Sequence, residues 1–213
     1  MARLVSVLSL VLPLFLIVAV APASAANLLV NPGFESPATT SPPPEYYGAG
    51  SWTSFGSGIF TIDSSVGIPP NAGNQLLKMF GGCCSGAWQQ FPASAGETWN
   101  GGAWIRSDAL DPMVGGQVAA VNIEWIAPDG TTQVSFISNG TFTAASPQDV
   151  WTLQTITGVA PAGTGFARFV VITGDFLPGG PGGAPFYDDA FFELLLPVPT
   201  EETSWGQIKA LYR

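Results

Sequence analysis

VNIEWIAPDGTTQVSFISNGTF, Val121 to Phe142, alternates apolar and polar side chains with the two-residue period of a half-buried strand. Carried back to Gln117, the alternation puts Ala119, Val121, Ile123 and Trp125 on one face. Val118, Ala120, Asn122, Glu124 and Ile126 fall on the other. Trp125 is therefore read as core. Pro128 presets φ and Asp129-Gly130 supplies a positive-φ corner, so the chain reverses there into a second strand. Asn139-Gly140 is read as another tight turn, in preference to a glycosylation acceptor at Asn139-Gly140-Thr141.

The same texture extends outward from this hairpin. From Leu28 onward, short runs rich in Val, Ile, Thr, Phe and Trp are separated by clusters of Gly, Pro, Asn, Asp and Ser, the spacing of an all-β domain. No stretch before Thr200 shows a helical period, and no repeat of solenoid or propeller length is present. In GETWNGGAWIRSD, Trp99, Ala103 and Ile105 share one face, while Asn100, Trp104 and Arg106 share the other. Two Pro/Gly-rich segments, Glu35 to Ser51 and Gly174 to Pro185, read as long loops.

The two ends read differently. An apolar run, Leu4 to Val20, follows Arg3 and ends in APASAAN, the pattern of a cleaved export signal over residues 1–25. That expectation makes the protein secreted or cell-surface, with no membrane insertion once the signal is removed. Residues 26–196 form one β domain. Residues 197–213 form a PVPT linker and a short amphipathic helix, with Glu201 and Glu202 at its start and Trp205, Ile208 and Leu211 or Tyr212 at helical spacing. This tail is either a terminal turn packed on the domain or a means of cell-envelope attachment.

Composition narrows the chemistry. The chain has no histidine, which removes His-based triads, imidazole general bases and His-ligated metals. Lys and Arg number 6 against 15 Asp and Glu; without Arg3 the balance is 5 against 15, a field that repels phosphate backbones and so argues against nucleic acid. The two cysteines, Cys83 and Cys84, are adjacent and cannot staple distant parts of a fold. A vicinal disulfide, two free thiols and an intermolecular bond all stay open.

Five ordered landmarks span nearly all of Asn27 to Leu194: NLLVNPGFES (27–36), NQLLKMFGG (74–82), AWQQFPASAGETWNGGAWIRSD (87–108), WTLQTITGVAPAGTGFARFVVI (151–172) and FYDDAFFEL (186–194). On these the chain resembles the carbohydrate-binding modules grouped as families 4, 9 and 22, whose fold is a galactose-binding-like jelly-roll β-sandwich. The resemblance implies a non-catalytic domain with a structural calcium and a ligand face of variable specificity. It also makes the first and last strands neighbours.

Two sites are expected on that frame. Pro32-Gly33 cannot continue a central ladder, so the chain kinks there and exposes carbonyls beside Glu35. In FYDDAFFEL, Asp188 shares the parity of Ala190, Phe192 and Leu194, a core-facing position where a carboxylate needs a cation or a full set of donors. A calcium held by Glu35, Asp188 and carbonyls around Asn31 and Gly33 follows as an expectation, against a metal-free hydrogen-bonded carboxylate. The second site is a polysaccharide or glycan platform: a flat aromatic flanked by amide, carboxylate and guanidinium groups. Trp104, Arg106, Asn122 and Glu124 supply that mixture, with Tyr46, Tyr47 and Trp52 at the rim and Trp88 beside Gln89 or Gln90 as a further candidate. The same residues also fit an Arg106–Glu124 ion pair with Trp104 covering the sheet.

A sandwich glycosidase needs two facing carboxylates, and Glu124 stands alone on a strand's polar face, so no enzyme is expected. The competing role is a structural or adhesive surface protein that uses the sandwich as a scaffold without sugar specificity.

Overall fold

The computed structural model describes residues 26–39, 45–80, 84–175 and 183–196. The stretches expected to be an export signal and a linker with a helical tail, Cys83 and most of the Gly174–Pro185 stretch lie outside the described residues. Cys84 is disulfide-bonded.

Eleven strands run in chain order among the described residues: β1 (Glu45–Tyr47), β2 (Thr53–Phe55), β3 (Ile59–Asp63), β4 (Gln75–Met79), β5 (Ser85–Pro92), β6 (Thr98–Ser107), β7 (Gln117–Ile126), β8 (Gln133–Thr143), β9 (Thr152–Val159), β10 (Phe166–Asp175) and β11 (Pro185–Leu195). A single 3-10 turn, Ser64–Val66, interrupts them. They form a jelly-roll sandwich of two antiparallel sheets, six-stranded in the order β1-β3-β4-β11-β6-β9 and five-stranded in the order β2-β5-β10-β7-β8. No described helix is long and apolar enough to cross a membrane.

The core lies between the sheets and is built by the expected parity. Ala119, Val121, Ile123 and Trp125 of β7 face Trp99, Ala103 and Ile105 of β6 across it, with Phe169 of β10 and Phe192 of β11 filling the middle. Trp99 and Phe169 both stack on Phe192, with ring centroids 4.8 and 5.3 Å away. The β7–β8 turn forms where Asp129-Gly130 predicts it. Gly130 takes φ 76° and the Asp129 carboxylate accepts from the Thr131 and Thr132 amides, each at 2.8 Å. Those bonds, with one from the Thr132 hydroxyl, hold the Asp129 acid down at about 2.

Three expectations change. Asn139-Gly140 makes no turn: both residues lie inside β8, where Val121 opposes Asn139 but Ala119 opposes Phe142, so an extra residue is absorbed as a bulge and the strand continues. The loop assigned to Glu35–Ser51 contains β1, which pairs with β3 at the edge of the six-stranded sheet. Asn27–Val30 follows β11 but forms no strand, because a side chain takes over the ladder. Asn27 Oδ1 accepts from the Phe192 and Leu29 amides and its Nδ2 donates to the Ala190 carbonyl.

Candidate functional site

The two sheets divide the residues that sequence parity groups together. Trp104 and Arg106 belong to β6 in the six-stranded sheet, whereas Asn122 and Glu124 belong to β7 in the five-stranded one. No Arg106–Glu124 pair forms. Arg106 is buried and bridges Asp108 at 2.5 Å and Asp149 at 3.3 Å, fastening the chain that follows β6. Trp104 lies opposite Asp188 on one side and Leu153 on the other. Trp52 is buried: its indole donates to the Asn31 carbonyl and its ring packs on Phe34 at 5.3 Å, so it pins the core instead of rimming a ligand. Tyr47, well exposed, sits on edge strand β1 against Phe60. Gln89 is turned toward the opening stretch, where its amide spans the Val30 main chain.

The remaining candidates converge on the outer face of the five-stranded sheet. Register places Gln90, Arg168, Glu124 and Phe136 in one row across β5, β10, β7 and β8, and Trp88, Val170, Asn122 and Ser138 in the next. Arg168 ties the first row together. It donates to Gln90 Oε1 at 2.8 and 3.1 Å and to Glu124 Oε2 at 3.2 Å, and its guanidinium lies 4.1 Å from the Trp88 ring centroid. Burial pushes the Glu124 acid up, opposed by the Arg168 charge. Sequence reading missed Arg168 because β10 is nearly continuous in apolar residues, which hides its parity; its position opposite Glu124 is set by the register of strands that are distant in sequence.

Beside this cluster the sheet opens into a depression of about 220 Å³. Its wall is Phe136, 56% exposed, and its bed includes Val118, Ala120 and Ile172. Asn122 lines it too, 93% buried, and its Oδ1 has no hydrogen-bond partner. A buried acceptor left unpaired is costly.

The second cluster lies where the opening stretch meets β11. Asn31 and Phe34 take φ 54° and 56°, and the turn they make carries Gly33 against β11. A side chain at Gly33 would meet Asp189 Oδ1 at 3.4 Å, Asp188 Oδ1 at 3.6 Å and the Glu35 stem at 3.8 Å. Two carboxylates and the stem of a third acid thus surround one glycine. Strand alternation puts Asp188 beside Ala190 on the core side, but a bulge overturns this. Asp189 takes φ 43° and register shifts between Asp188 and Phe191. Tyr187, Ala190 and Phe192 therefore face the core, while Asp188 turns the other way under the Asn71–Ala72 main chain. The bulge also brings in Asp189, which alternation sends elsewhere.

Asp188 is wholly buried, and its acid is pushed up to about 7 by burial and by the neighbouring Asp189 charge, against three main-chain N–H donors. Glu35 Oε1 accepts from the Asn74 and Gln75 amides. Asn31 is occupied in shaping the turn: its side chain brackets Ser36, and its carbonyl accepts from Phe34 and Trp52. Among the described residues no three Asp, Glu, His or Cys side chains form a metal-holding group by themselves, so an ion here would also need main-chain oxygen. The donor set is all oxygen and anionic, the chemistry that suits calcium and not a soft metal.

No protein-family model and no curated protein sequence matches the chain. Solved structures do match in fold. The enzymatically active domain of tailspike protein 4 from bacteriophage CBA120 superposes with a TM-score of 0.52 at 10% identity, over 79% of this chain but only 21% of that one. A family 61 carbohydrate-binding module complexed with β-1,4-galactotriose superposes at 0.51 with 16% identity, over 80% of this chain and 100% of its own. The CBM22-1 xylan-binding domain of Xyn10C from Paenibacillus barcinonensis gives 0.51 at 12% identity, over 84% of this chain and 100% of that one. In two of these three the match spans a whole carbohydrate-binding module. The chain has the β-sandwich fold of carbohydrate-binding modules.

Proposed function

We propose that this protein is an exported, non-catalytic glycan-binding module whose ligand lies on the outer face of the five-stranded sheet. The observation that carries the reading is the constellation of Trp88, Gln90, Glu124 and Arg168 beside an open depression. It offers planar hydrogen-bonding groups next to apolar surface, the combination that a sugar ring with its polar edge and apolar face requires. Glu124 is the one carboxylate in these rows, whereas hydrolysis by the usual route needs two flanking the scissile bond. Of the residues nominated from sequence, Trp88, Gln90, Asn122 and Glu124 belong to this proposed site; Arg168 and Phe136 join them.

Glu35, Asp188, Asp189 and the Gly33 carbonyl are the groups that would hold a structural calcium, with the ion supplying the positive charge that offsets the buried Asp188 carboxylate. Export rests on the signal-like opening of the sequence.

The test is retention in native gels containing soluble polysaccharides and pull-down on insoluble ones. Trp88→Ala is expected to weaken binding about tenfold or more, as loss of a central aromatic anchor does, while Trp104→Ala on the other sheet leaves it unchanged. Equal retention of the Trp88 variant and wild type on every glycan bound refutes the placement, and no retention on any glycan refutes the function.

A further inference from the structure

Every cation among the described residues is already paired with a carboxylate. Lys78 reaches Asp111 at 2.6 Å, Arg106 reaches Asp108 at 2.5 Å and Arg168 reaches Glu124 at 3.2 Å. The first two pairs start from the six-stranded sheet, and the last stands on the outer face of the five-stranded one. That last pair is not sealed off: the Arg168 side chain keeps 16% of its surface exposed and Glu124 keeps 19%. A guanidinium carries five N–H donors. Arg168 directs two of them at Gln90 Oε1 and one at Glu124 Oε2, which leaves two. Glu124 Oε1 accepts from no group among the described residues, and it is open to solvent, since Asn122 Oδ1 is the one buried side-chain atom there without a partner. Spare donors and a spare acceptor therefore stand on neighbouring groups.

A sugar hydroxyl both donates and accepts, so two hydroxyls on adjacent carbons match this arrangement. One accepts from Arg168 and the other donates to Glu124 Oε1. A carboxylate or a sulfate ester has acceptors alone. Placed here it would bring a second anion against Glu124, whose charge already answers the guanidinium. The wider field adds to the repulsion, with 15 Asp and Glu in the chain against 6 Lys and Arg. Resting on the glycan-binding reading above, we infer that the Arg168–Glu124 pair reads vicinal hydroxyls of an uncharged glycan, and that Glu124 excludes uronic acids and sulfated sugars. Arg168 supplies attraction and Glu124 supplies the discrimination, because without the carboxylate the ligand would face a cation with no counter-charge.

The experiment uses the full chain and matched oligosaccharide pairs differing only in hydroxymethyl against carboxylate at one carbon, first on an array and then by titration calorimetry in low and high salt. Wild type is expected to favour the uncharged member of bound pairs by about tenfold or more in low salt, with the gap narrowing in high salt. Glu124→Gln keeps the shape and removes the charge, and is expected to shift the ratio about tenfold toward the anionic member. Glu45→Gln removes the same charge from exposed strand β1 of the other sheet and should leave the ratio within about twofold. Equal affinity of wild type for both members overturns the inference and leaves the glycan-binding reading standing. So does a ratio that Glu124→Gln leaves unmoved, or that Glu45→Gln moves as far. Binding of no glycan overturns both. Should Glu124→Gln fail to fold, Glu124→Thr, suited to a strand, makes the same comparison.

Discussion

Asp188→Asn, with and without calcium, puts the acid cluster at Gly33 under direct test. In the metal-free protein the Asp188 acid titrates near 7 in place of 3.8, because it is buried and faces the Asp189 charge. The folded state therefore holds this proton more tightly than the unfolded chain. Stability from this group is fully present below about pH 4 and is lost progressively as pH rises through 7. By pH 8 the loss amounts to about 4 kcal/mol, the gap between the two titration points at 1.36 kcal/mol per pH unit. A bound calcium reverses the sign, since it requires the carboxylate ionised and so binds better as pH rises. Differential scanning calorimetry at pH 5 and pH 8, in chelator and in millimolar calcium, separates the cases. Wild type in chelator should melt lower at pH 8 than at pH 5 by more than its Asp188→Asn variant does. Calcium should raise the wild-type midpoint at pH 8, and the variant should lose most of that rise. A midpoint indifferent to calcium at pH 8 refutes the metal, and identical pH responses of wild type and variant refute the buried, strained carboxylate.

Gly73 takes φ +65°, and a Cβ there would fall 2.0 Å from Glu35 Oε1, so Gly73→Ala should displace that carboxylate and reduce the calcium-dependent rise in midpoint; an unchanged rise removes Glu35 from the ion's ligands. Asn27→Ala should cost about 1 to 3 kcal/mol in urea unfolding, because three hydrogen bonds to Leu29, Ala190 and Phe192 vanish and β11 is left with unpaired main-chain groups; a loss below 0.5 kcal/mol contradicts the role given to this side chain.

The parts of the fold that depend on period two were readable in the sequence. Ala119, Val121, Ile123 and Trp125 face the core because nothing interrupts the alternation of β7 along that run, and the Asp129-Gly130 turn carries its own local chemistry. The site was readable only in fragments. Asn122, Glu124 and Trp88 share one outer face of the five-stranded sheet, but pairing Glu124 with Arg106 needed to know which sheet each strand joins. That choice rests on contacts between distant strands: β7 lies beside β10, and β6 lies between β11 and β9. Only register decides that Glu124 meets Arg168, while Arg106 meets Asp108 and Asp149.

The bulge at Asp189 shows why the rest was hidden. A single residue at φ 43° exchanges the faces of everything on one side of it, so Asp188 leaves the core side assigned by alternation yet remains wholly buried. Two physical requirements meet at that residue. Tyr187 and Ala190 must both reach the core, which parity forbids for residues three apart in a regular strand. The bulge satisfies this, and its by-product is two adjacent carboxylates directed to the same side, toward Gly33. Like charges that close are unfavourable without a counter-ion, and the main-chain donors from Asn71, Ala72 and Asp189 leave the Asp188 acid still near 7. The local geometry that the core demands thus creates the charge that a cation would answer, which ties the packing of β11 to the chemistry of the opening stretch.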